Sequence, residues 1–307
     1  MKILLAEYAV GIGMGGTFLL EGKAMLQTIA NSFTRLGHDV VYLSLGTTLT
    51  NGILVGSNEN NFKTVLEREA KQCDAGLVIA PDELLYDLST IMENNTFNLG
   101  CTPESAAICA DKVKCTGVLN SAGIPAPEII SQGQDQPEGG YYVVKPRFGC
   151  ASEDTRICTH FTHREGFIAT GYIEGEHLSV SLVCGENPLP LAINKQMIDI
   201  HPEYENSEII YNGNLTPYKT PRQKELYDTA IAASRALSCR GYVGIDIVLA
   251  DLPYVVDVNP RPTTSLFSIN KVMKQEIADL LLKNIFGGLP GSVDISGECI
   301  FTKEDLK

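Results

Sequence analysis

Two short segments near the C-terminal end of the chain predict a β-hairpin whose acidic side chains face each other. The segments are 241–249 and 254–262. A turn at residues 250–253 would pair Asp246 with Asp257 across the hairpin. Asn259 follows on the same face because side chains along a strand alternate with period two. The opposite, apolar face would then consist of Ile245, Ile247, Val256 and Val258.

This arrangement predicts a metal site. Like charges placed opposite one another destabilise a sheet unless a cation lies between them. Two carboxylates and a neutral amide are hard oxygen ligands, which suit Mg²⁺ or Mn²⁺. Asp246, Asp257 and Asn259 are therefore the predicted metal ligands. An amphipathic hairpin with a solvated acidic face is the alternative interpretation of this feature taken alone.

Two lysines are placed to bind phosphates beside such a cation. Lys145 ends an apolar β-run and is followed by a loop of small residues at 147–154. A lysine in that position can contact one phosphate while backbone amides close over the others. Lys112 lies on a helical segment that leads towards this loop. An isolated lysine is more often a solvated surface charge, but its position in an apolar strand weakens that interpretation for Lys145.

Composition excludes several classes of partner. The chain has 307 residues, 44% of them hydrophobic, so it can bury a sizeable core divided into two or three compact units. Its net charge of −13 opposes binding to nucleic acid, which needs a basic surface. No apolar run has the length of a membrane span or of a signal peptide, so we expect a cytoplasmic protein.

The cysteines do not form a recognisable framework. There are nine of them, an odd number, scattered along the chain without a Cys-x-x-Cys pair. This pattern favours reduced thiols that pack as small apolar side chains over zinc ligands or disulfides.

The first hundred residues alternate strand and helix patterns. Apolar runs at 2–6, 40–44 and 77–80 predict strands, and a helix between the first two places Leu26 and Phe33 on its buried face. This series predicts a small parallel sheet flanked by helices. After Pro103 a helical pattern runs through Cys109 to Ala122.

The rest of the chain is richer in strands. Strands are predicted at 142–145, 177–184 and 190–198. A helix around Leu226 to Leu237 leads into the acidic hairpin, and a last helix is predicted at 275–286.

A glycine-rich segment near the N-terminus formally matches the dinucleotide-binding fingerprint, with glycines at 11, 13 and 16. The spacing argues against that interpretation, because four residues separate the first strand from Gly11 and no acid ends the second strand. We expect a glycine-rich substrate loop between Tyr8 and Gly22, in which Tyr8 and Phe18 could stack on an aromatic substrate.

These motifs together resemble the ATP-grasp superfamily. They occur in its order and cover about residues 100 to 290. The motifs are Lys112, the run ending at Lys145 with its small-residue loop, Gly171 to His177, Asp246, and Asp257 to Pro262. The resemblance implies a pre-ATP-grasp βαβ domain at 1–101 and an ATP-grasp domain at 102–307, formed by two α+β subdomains with a lid near 124–170.

The resemblance also implies roles for individual residues. The hinge near 170–173, with Val143 and Val256, would hold adenine. The residues implied in ATP binding are Lys112, Lys145, Ser152, Thr170, Gly171, Tyr172, Ile173, Glu176, His177 and Val256. Lys145 and Arg261 would be catalytic, and two Mg²⁺ or Mn²⁺ ions would lie on Asp246, Asp257 and Asn259. The ribose-binding acid aligns nearer His177 than Glu176, and the closing loop has Ala151 and Asp154 where relatives commonly carry glycine.

Within the superfamily, the pattern is most similar to the archaeal tyramine–L-glutamate ligases of the methanofuran pathway. The stretches that carry this likeness begin at Glu7, Glu21, Ile79, Cys109 and Asn259. The residues implied for the substrates are Glu7, Tyr8, Phe18 and Lys195, although a surface position is an equal interpretation of Lys195.

The implied reaction joins a carboxylate to an amine through an acyl phosphate. A closing loop at 147–154 would keep water from that intermediate. Three alternatives stay open: a ligase for another amino acid or peptide, a non-catalytic Mg-ATP-binding regulatory protein, and a dehydrogenase that binds NAD at the N-terminal glycines. No residue identifies itself as a general base, and a homodimer stays open.

Overall fold

The computed structural model describes residues 1–131, 140–149, 154–200 and 207–306. Its strands form three sheets of five, six and four strands. The fold is therefore mixed, with one parallel sheet and two antiparallel sheets, as the sequence predicted.

The five-stranded sheet is parallel and uses the N-terminal part of the chain. Its strands are β1 (Lys2–Glu7), β2 (Asp39–Ser44), β3 (Ile53–Gly56), β4 (Ala75–Ile79) and β5 (Phe97–Asn98), in the order β3-β2-β1-β4-β5. Its helices are α1 (Tyr8–Ile12), α2 (Gly16–Arg35), α3 (Phe62–Ala70) and α4 (Asp82–Asn95). β1 lies at the centre, between β2 and β4, so its carboxyl end opens onto the edge where parallel sheets commonly bind ligands.

The six-stranded sheet carries the acidic hairpin. Its strands are β9 (Glu176–Cys184), β10 (Leu189–Asp199), β12 (Ile210–Thr216), β13 (Gly241–Leu249), β14 (Pro253–Asn259) and β15 (Cys299–Thr302). They follow the order β14-β13-β9-β10-β12-β15. Its associated helices are α5 (Pro103–Ala110), α6 (Lys112–Ser121), α7 (Gln223–Ala236), α8 (Ser265–Val272) and α9 (Ile277–Phe286). One face of the sheet buries Val180, Ile193 and Ile245 against α6 and α7.

The predicted pairing of Asp246 with Asp257 is confirmed, but the expected alternation of side chains between the two faces fails next to this pair. A β-bulge lies between Asp246 and Ile247, so Ile247 pairs with Val255. Val255 consequently joins the apolar core, whereas Val256 is half-buried on the other side. The prediction that Val256 lies on the core face is wrong, because a bulge adds one residue and reverses the face of its neighbour.

The four-stranded sheet has its own small core. Its strands are β6 (Tyr142–Pro146), β7 (Arg156–Cys158), β8 (Phe167–Gly171) and β11 (Ser207–Glu208), in the order β11-β7-β6-β8. Tyr142 and Cys158 are buried with Ile130, apart from the cores of the other two sheets. Lys145 is paired with Ile168 in this sheet, as the apolar β-run predicted.

Two predictions of local structure are wrong. The segment from Tyr8 to Gly22 is helical instead of a glycine-rich loop, because α1 ends at Gly13 in the left-handed region, with φ of 71°, and α2 begins at once at Gly16. The helix predicted from Cys109 to Ala122 is interrupted at Asp111, whose extended backbone ends α5 and whose carboxylate caps α6.

The cysteines described by the structure are free, and all but Cys239 are buried, which agrees with the expectation of reduced thiols. Among the described residues, no helix combines the length and the apolar character needed to cross a membrane.

Candidate active site

A single cavity lies where the three sheets meet. Its walls include Glu7 at the end of β1, Lys145 on β6, and Asp246 and Asp257 on the acidic hairpin. The topology therefore brings chemistry-bearing residues from distant parts of the chain to one cavity, and the metal, lysine and hinge residues named from the sequence all line it.

The acidic hairpin forms one wall. Asp246 accepts hydrogen bonds from Gln196 Nε2 (2.9 Å) and from Asn259 Nδ2 (3.2 Å). Burial, followed by the charge of Asp257, raises the pKa of Asp246 to about 7. Two facing carboxylates that repel each other beside a neutral amide fit a divalent cation. Mg²⁺ held by one or two carboxylates usually keeps waters and binds substrate phosphates, which would complete the shell of an ion at this hairpin.

The two lysines lie beside this hairpin. Lys145 donates a hydrogen bond from Nζ to the carbonyl oxygen of Val256 (2.9 Å). Lys112 donates to the carbonyl oxygen of Gly149 (2.8 Å), and its Nζ lies 3.6 Å from Oδ1 of Asp257. Burial lowers the pKa of Lys145, an effect that Asp257 opposes. Both ammonium groups are fixed by backbone oxygens next to the carboxylates, which suits binding to the phosphates of a metal-bound nucleotide.

Asp111 explains why Lys112 reaches the site. Its carboxylate forms a two-point ion pair with Arg147, with distances of 2.8 Å to Nε and 2.7 Å to Nη2. The backbone N–H of Lys112 donates to the carbonyl oxygen of Arg147 (3.1 Å). These bonds join the start of α6 to the end of β6, so the two lysines are brought together by one junction.

The predicted hinge forms the far end of the cavity. Thr170 is buried, while Tyr172 is half-buried and donates its backbone N–H to the carbonyl oxygen of Tyr141 (2.9 Å). The lining residues at this end are Val143, Thr170, Gly171, Tyr172, Ile173, His177, Val248 and Val256. Apolar side chains next to exposed backbone groups can accommodate a flat heterocycle.

Arg261 lies between the hairpin and the N-terminal sheet. Its Nε donates to Oδ1 of Asp82 (3.1 Å), and its Nη2 lies 3.4 Å from Oδ1 of Asn259. Asp82 is 1% exposed, burial raises its pKa, and its Oδ2 has no hydrogen-bond partner in the described part of the chain. Asp82 was missed as a site residue because its partner lies far away along the chain.

Several predicted residues do not line the cavity. Glu176 and Lys195 form an ion pair with each other (3.0 Å), and Tyr218 donates its hydroxyl to the same carboxylate (2.9 Å). Tyr8 packs edge-on against Phe62, with ring centroids 5.1 Å apart, in the core beneath α3. The described cavity wall therefore does not include Glu176, Lys195 or Tyr8, and the ligand-binding roles implied for them stay predictions.

Other predictions have a different outcome. Ser152 and the middle of the closing loop at 147–154 lie outside the described residues. Glu7 and Phe18 line the cavity as expected, although Phe18 lies on a helix and not on a loop. The lining residues that sequence reasoning did not select include Glu21, Gly22, Met25, Gln196, Tyr211, Thr263, Ser265 and Lys303. Helical spacing of 18, 21, 22 and 25 was the signal that could have found part of this set.

Comparison with known proteins agrees with this geometry. Residues 109–265 match the ATP-grasp domain, and residues 46–106 match the pre ATP-grasp 3 domain. The chain belongs to the ATP-grasp family. The match spans both lysines, the hinge and the acidic hairpin, so the family resemblance inferred from the motifs is confirmed.

Two similar proteins are named as ligases. The chain is 28% identical to the tyramine–L-glutamate ligase of Methanocaldococcus fervens over 295 residues, which cover 92% of this chain and 93% of that protein. It is 29% identical to the protein of the same name from Methanocaldococcus jannaschii, with coverage of 92% and 88%. The predicted enzyme class, an ADP-forming carboxylate–amine ligase of the ATP-grasp family, is confirmed by these matches.

Solved structures support the fold. An ATP-grasp superfamily protein from Archaeoglobus fulgidus superposes with a TM-score of 0.78 at 26% identity, covering 98% of both chains. The D-alanine–D-alanine ligase of Bacillus anthracis superposes with a TM-score of 0.66 at 19% identity, covering 92% of this chain and 97% of that one. The second comparison speaks for the fold alone.

Proposed function

We propose that this ligase joins the carboxylate of an amino acid to a primary amine, with L-glutamate and tyramine as the substrates to test first. The observation that carries the proposal is one continuous cavity, in which lysines and an acidic hairpin face the carboxyl edge of the N-terminal parallel sheet. The names of the two archaeal relatives support the choice of substrates. The product, γ-glutamyltyramine, would then belong to methanofuran biosynthesis.

In this proposal the nucleotide occupies the end of the cavity formed by the ATP-grasp half. Adenine lies at the hinge around Thr170 to Ile173, and the phosphates lie on Lys112 and Lys145. Asp246, Asp257 and Asn259 would hold two Mg²⁺ or Mn²⁺ ions, which when bound neutralise charge on the phosphates.

The first step is attack by a carboxylate oxygen of the amino acid on the γ-phosphorus, with ADP leaving and an acyl phosphate forming. Lys145 is held by the carbonyl oxygen of Val256, and Arg261 is held by Asp82. Donors fixed in advance stabilise the charge of the transferring group without reorganising during the reaction. Lys145 and Arg261 are therefore the proposed catalytic cations.

The second step is attack by the amine on the acyl carbon, with inorganic phosphate leaving and an amide remaining. Water would hydrolyse the acyl phosphate, so the site must be closed during the reaction. We assign this role to the four-stranded sheet, which carries Lys145 and is joined to α6 by the pair of Asp111 with Arg147. In this role the sheet is the lid.

The test is a screen of ADP release in which amino acids are crossed with amines, including tyramine, at millimolar Mg²⁺. The proposal expects ADP and phosphate only when both substrates are present, with glutamate and tyramine the best pair. Faster turnover with another amino acid and amine would change the proposed substrates but leave the proposed ligase reaction standing. Binding of Mg-ATP without ADP release in any mixture would favour the regulatory alternative and overturn the proposal.

A further inference from the structure

The end of the cavity opposite the hinge has a composition of its own. Glu7 ends β1 and pairs in register with Ile79 of β4, so the residues after both strands lie side by side at the carboxyl edge of the sheet. α2 covers this edge with one face. The residues of that face that line the cavity are Phe18, Glu21, Gly22 and Met25. The N-terminal sheet thus contributes a pocket wall that combines two carboxylates with apolar side chains.

Glu7 is held firmly in this wall. It is 4% exposed, and its Oε2 accepts a hydrogen bond from the backbone N–H of Val10 (2.7 Å), which caps α1. A Cβ at position 22 would lie 2.4 Å from the same oxygen, so only glycine lets α2 pass so close to the carboxylate. The carboxylate is therefore fixed by its own helix and by the close approach of α2.

The charges around this end favour a cation. Its carboxylates are Glu7, Glu21 and the buried Asp82, while its cations are Arg261, paired with Asp82, and Lys303, whose Nζ lies 3.7 Å from Glu21. Two of these carboxylates line the cavity and Asp82 lies buried behind the wall, so three carboxylates surround this end against two cations. Phe18 and Met25 line the cavity beside these groups and supply apolar surface for the body of a ligand.

We propose that this wall is the amine site and that Glu7 is the general base of the second step, with Glu21 binding and orienting the incoming ammonium. The inference rests on the proposed ligase function. The ligand class is a primary amine with an apolar body, which arrives protonated and cannot attack until it loses a proton. The apolar wall can bind the body of the amine, and the fixed carboxylate beside it can accept the proton.

The proton and electron balance is complete. An ammonium N–H proton moves to a Glu7 oxygen, and the freed nitrogen lone pair forms the C–N bond to the acyl carbon. The C–O bond to phosphate then breaks with its electron pair on phosphate, which also takes the remaining extra proton from nitrogen. Glu7 releases its proton to solvent when the product leaves, so no further reactant is needed.

The state of Glu7 suits this role. Burial raises its pKa to about 7, against the opposing effects of the backbone N–H bonds and of Arg261. The other charged groups facing this end, Glu21 on α2 and Lys303 after β15, form their own pair. A base works only when deprotonated, so kcat/KM for the amine should rise with pH through about 7.

The test separates the two half-reactions in Glu7→Gln. Glutamine keeps an oxygen that can cap α1, so the fold should persist, and circular dichroism with a thermal melt checks this. Hydroxylamine, which is uncharged near neutral pH, traps an acyl phosphate as a hydroxamate without needing a base. The variant should form hydroxamate from ATP and glutamate at the wild-type rate, while amide formation with tyramine falls by a factor on the order of 10².

Two further variants complete the design. Glu21→Gln should raise KM for the amine about tenfold with little change in kcat, because it loses a charged hydrogen bond made before the reaction. Glu67→Gln, on the exposed face of α3, is the matched control and should match wild type in both assays. The pH profile of Glu7→Gln should lack the rise near 7.

The outcomes distinguish failure of the proposed ligase function from failure of the role proposed for Glu7. A wild-type enzyme that forms no hydroxamate has no acyl phosphate, and this result overturns the proposed function itself. If hydroxamate forms and Glu7→Gln retains amide formation within about threefold of wild type, the ligase stands and the assignment of Glu7 as the base is wrong.

Discussion

The two ends of the cavity differ in how they are built. The end that we propose for the nucleotide, the nucleotide end, uses a hairpin whose partners lie 11 residues apart, Asp246 and Asp257, and a lysine at the end of a single strand. The end that we propose for the amine, the amine end, uses Glu7, α2 and the residues after β4, which come together only when the parallel sheet forms. Local pairing brings together the two carboxylates of the first end, whereas the second end depends on long-range pairing throughout.

The largest effect is expected at the acidic hairpin. Asp257→Asn should lower turnover on the order of 10³-fold, because losing a metal ligand removes several kcal/mol of charge stabilisation. Its melting temperature without metal should stay near the wild-type value, since one of two repelling anions is gone. Asp251→Asn, in the exposed turn of the same hairpin, is the control. Near-wild-type turnover of Asp257→Asn at millimolar Mg²⁺ would show that the metal lies elsewhere.

Lys145 comes next in expected size. Lys145→Ala should lower kcat by a factor on the order of 10² to 10³, as for the loss of one fixed transition-state donor. Lys145→Arg should be nearly as slow because a planar guanidinium does not reproduce a compact ammonium. Lys195→Ala, which removes a lysine paired with Glu176 outside the cavity, should remain close to wild type. Equal losses for the two alanine variants would contradict the placement of Lys195.

The buried ion pair of Asp82 with Arg261, which joins the hairpin to the N-terminal sheet, is tested by measuring stability. Asp82→Asn should lower the free energy of unfolding by about 3 kcal/mol, because it leaves Arg261 without its buried partner. Asp87→Asn lies on the same helix and breaks an exposed pair with Lys63, so its cost should stay below about 1 kcal/mol. Urea unfolding followed by circular dichroism measures both. Similar losses in the free energy of unfolding for the two variants would mean that the buried pair does not hold the hairpin to the N-terminal sheet.

The pairing within the acidic hairpin could be predicted from the sequence for a physical reason. Side-chain alternation and a short turn are local properties, so Asp246 and Asp257 could be paired without a structure. The same rule failed at Val256, because a bulge is not visible in the alternation. At the amine end, the glycines predicted a loop. Gly13 instead ends one helix just before the next begins, a close succession that a run of glycines does not predict.

The roles of Asp82 and Glu21 could not be predicted for a related reason. Neither residue belongs to a recognisable motif in its own helix, and each contacts a distant segment, Arg261 for Asp82 and Lys303 for Glu21. Ion pairs between distant segments leave no local pattern in the sequence.

Tyr8 is expected to affect stability but to have the smallest effect on kinetics. Tyr8→Ala should destabilise the fold by about 3 kcal/mol through loss of its packing on Phe62, while the KM for each substrate stays within about twofold of wild type. Thermal melts and steady-state kinetics measure both quantities. A selective rise in the KM for the amine would return Tyr8 to the substrate site.

Steady-state kinetics with each substrate varied in turn tests whether the cavity has a separate nucleotide end and amine end. Phe18→Ala and Val143→Ala remove apolar wall from opposite ends of the cavity. Phe18→Ala should raise the KM for the amine several-fold and leave the KM for ATP unchanged, and Val143→Ala should do the reverse. If both variants change the KM for the same substrate, the two ends are not separate and the proposed division of the cavity is wrong.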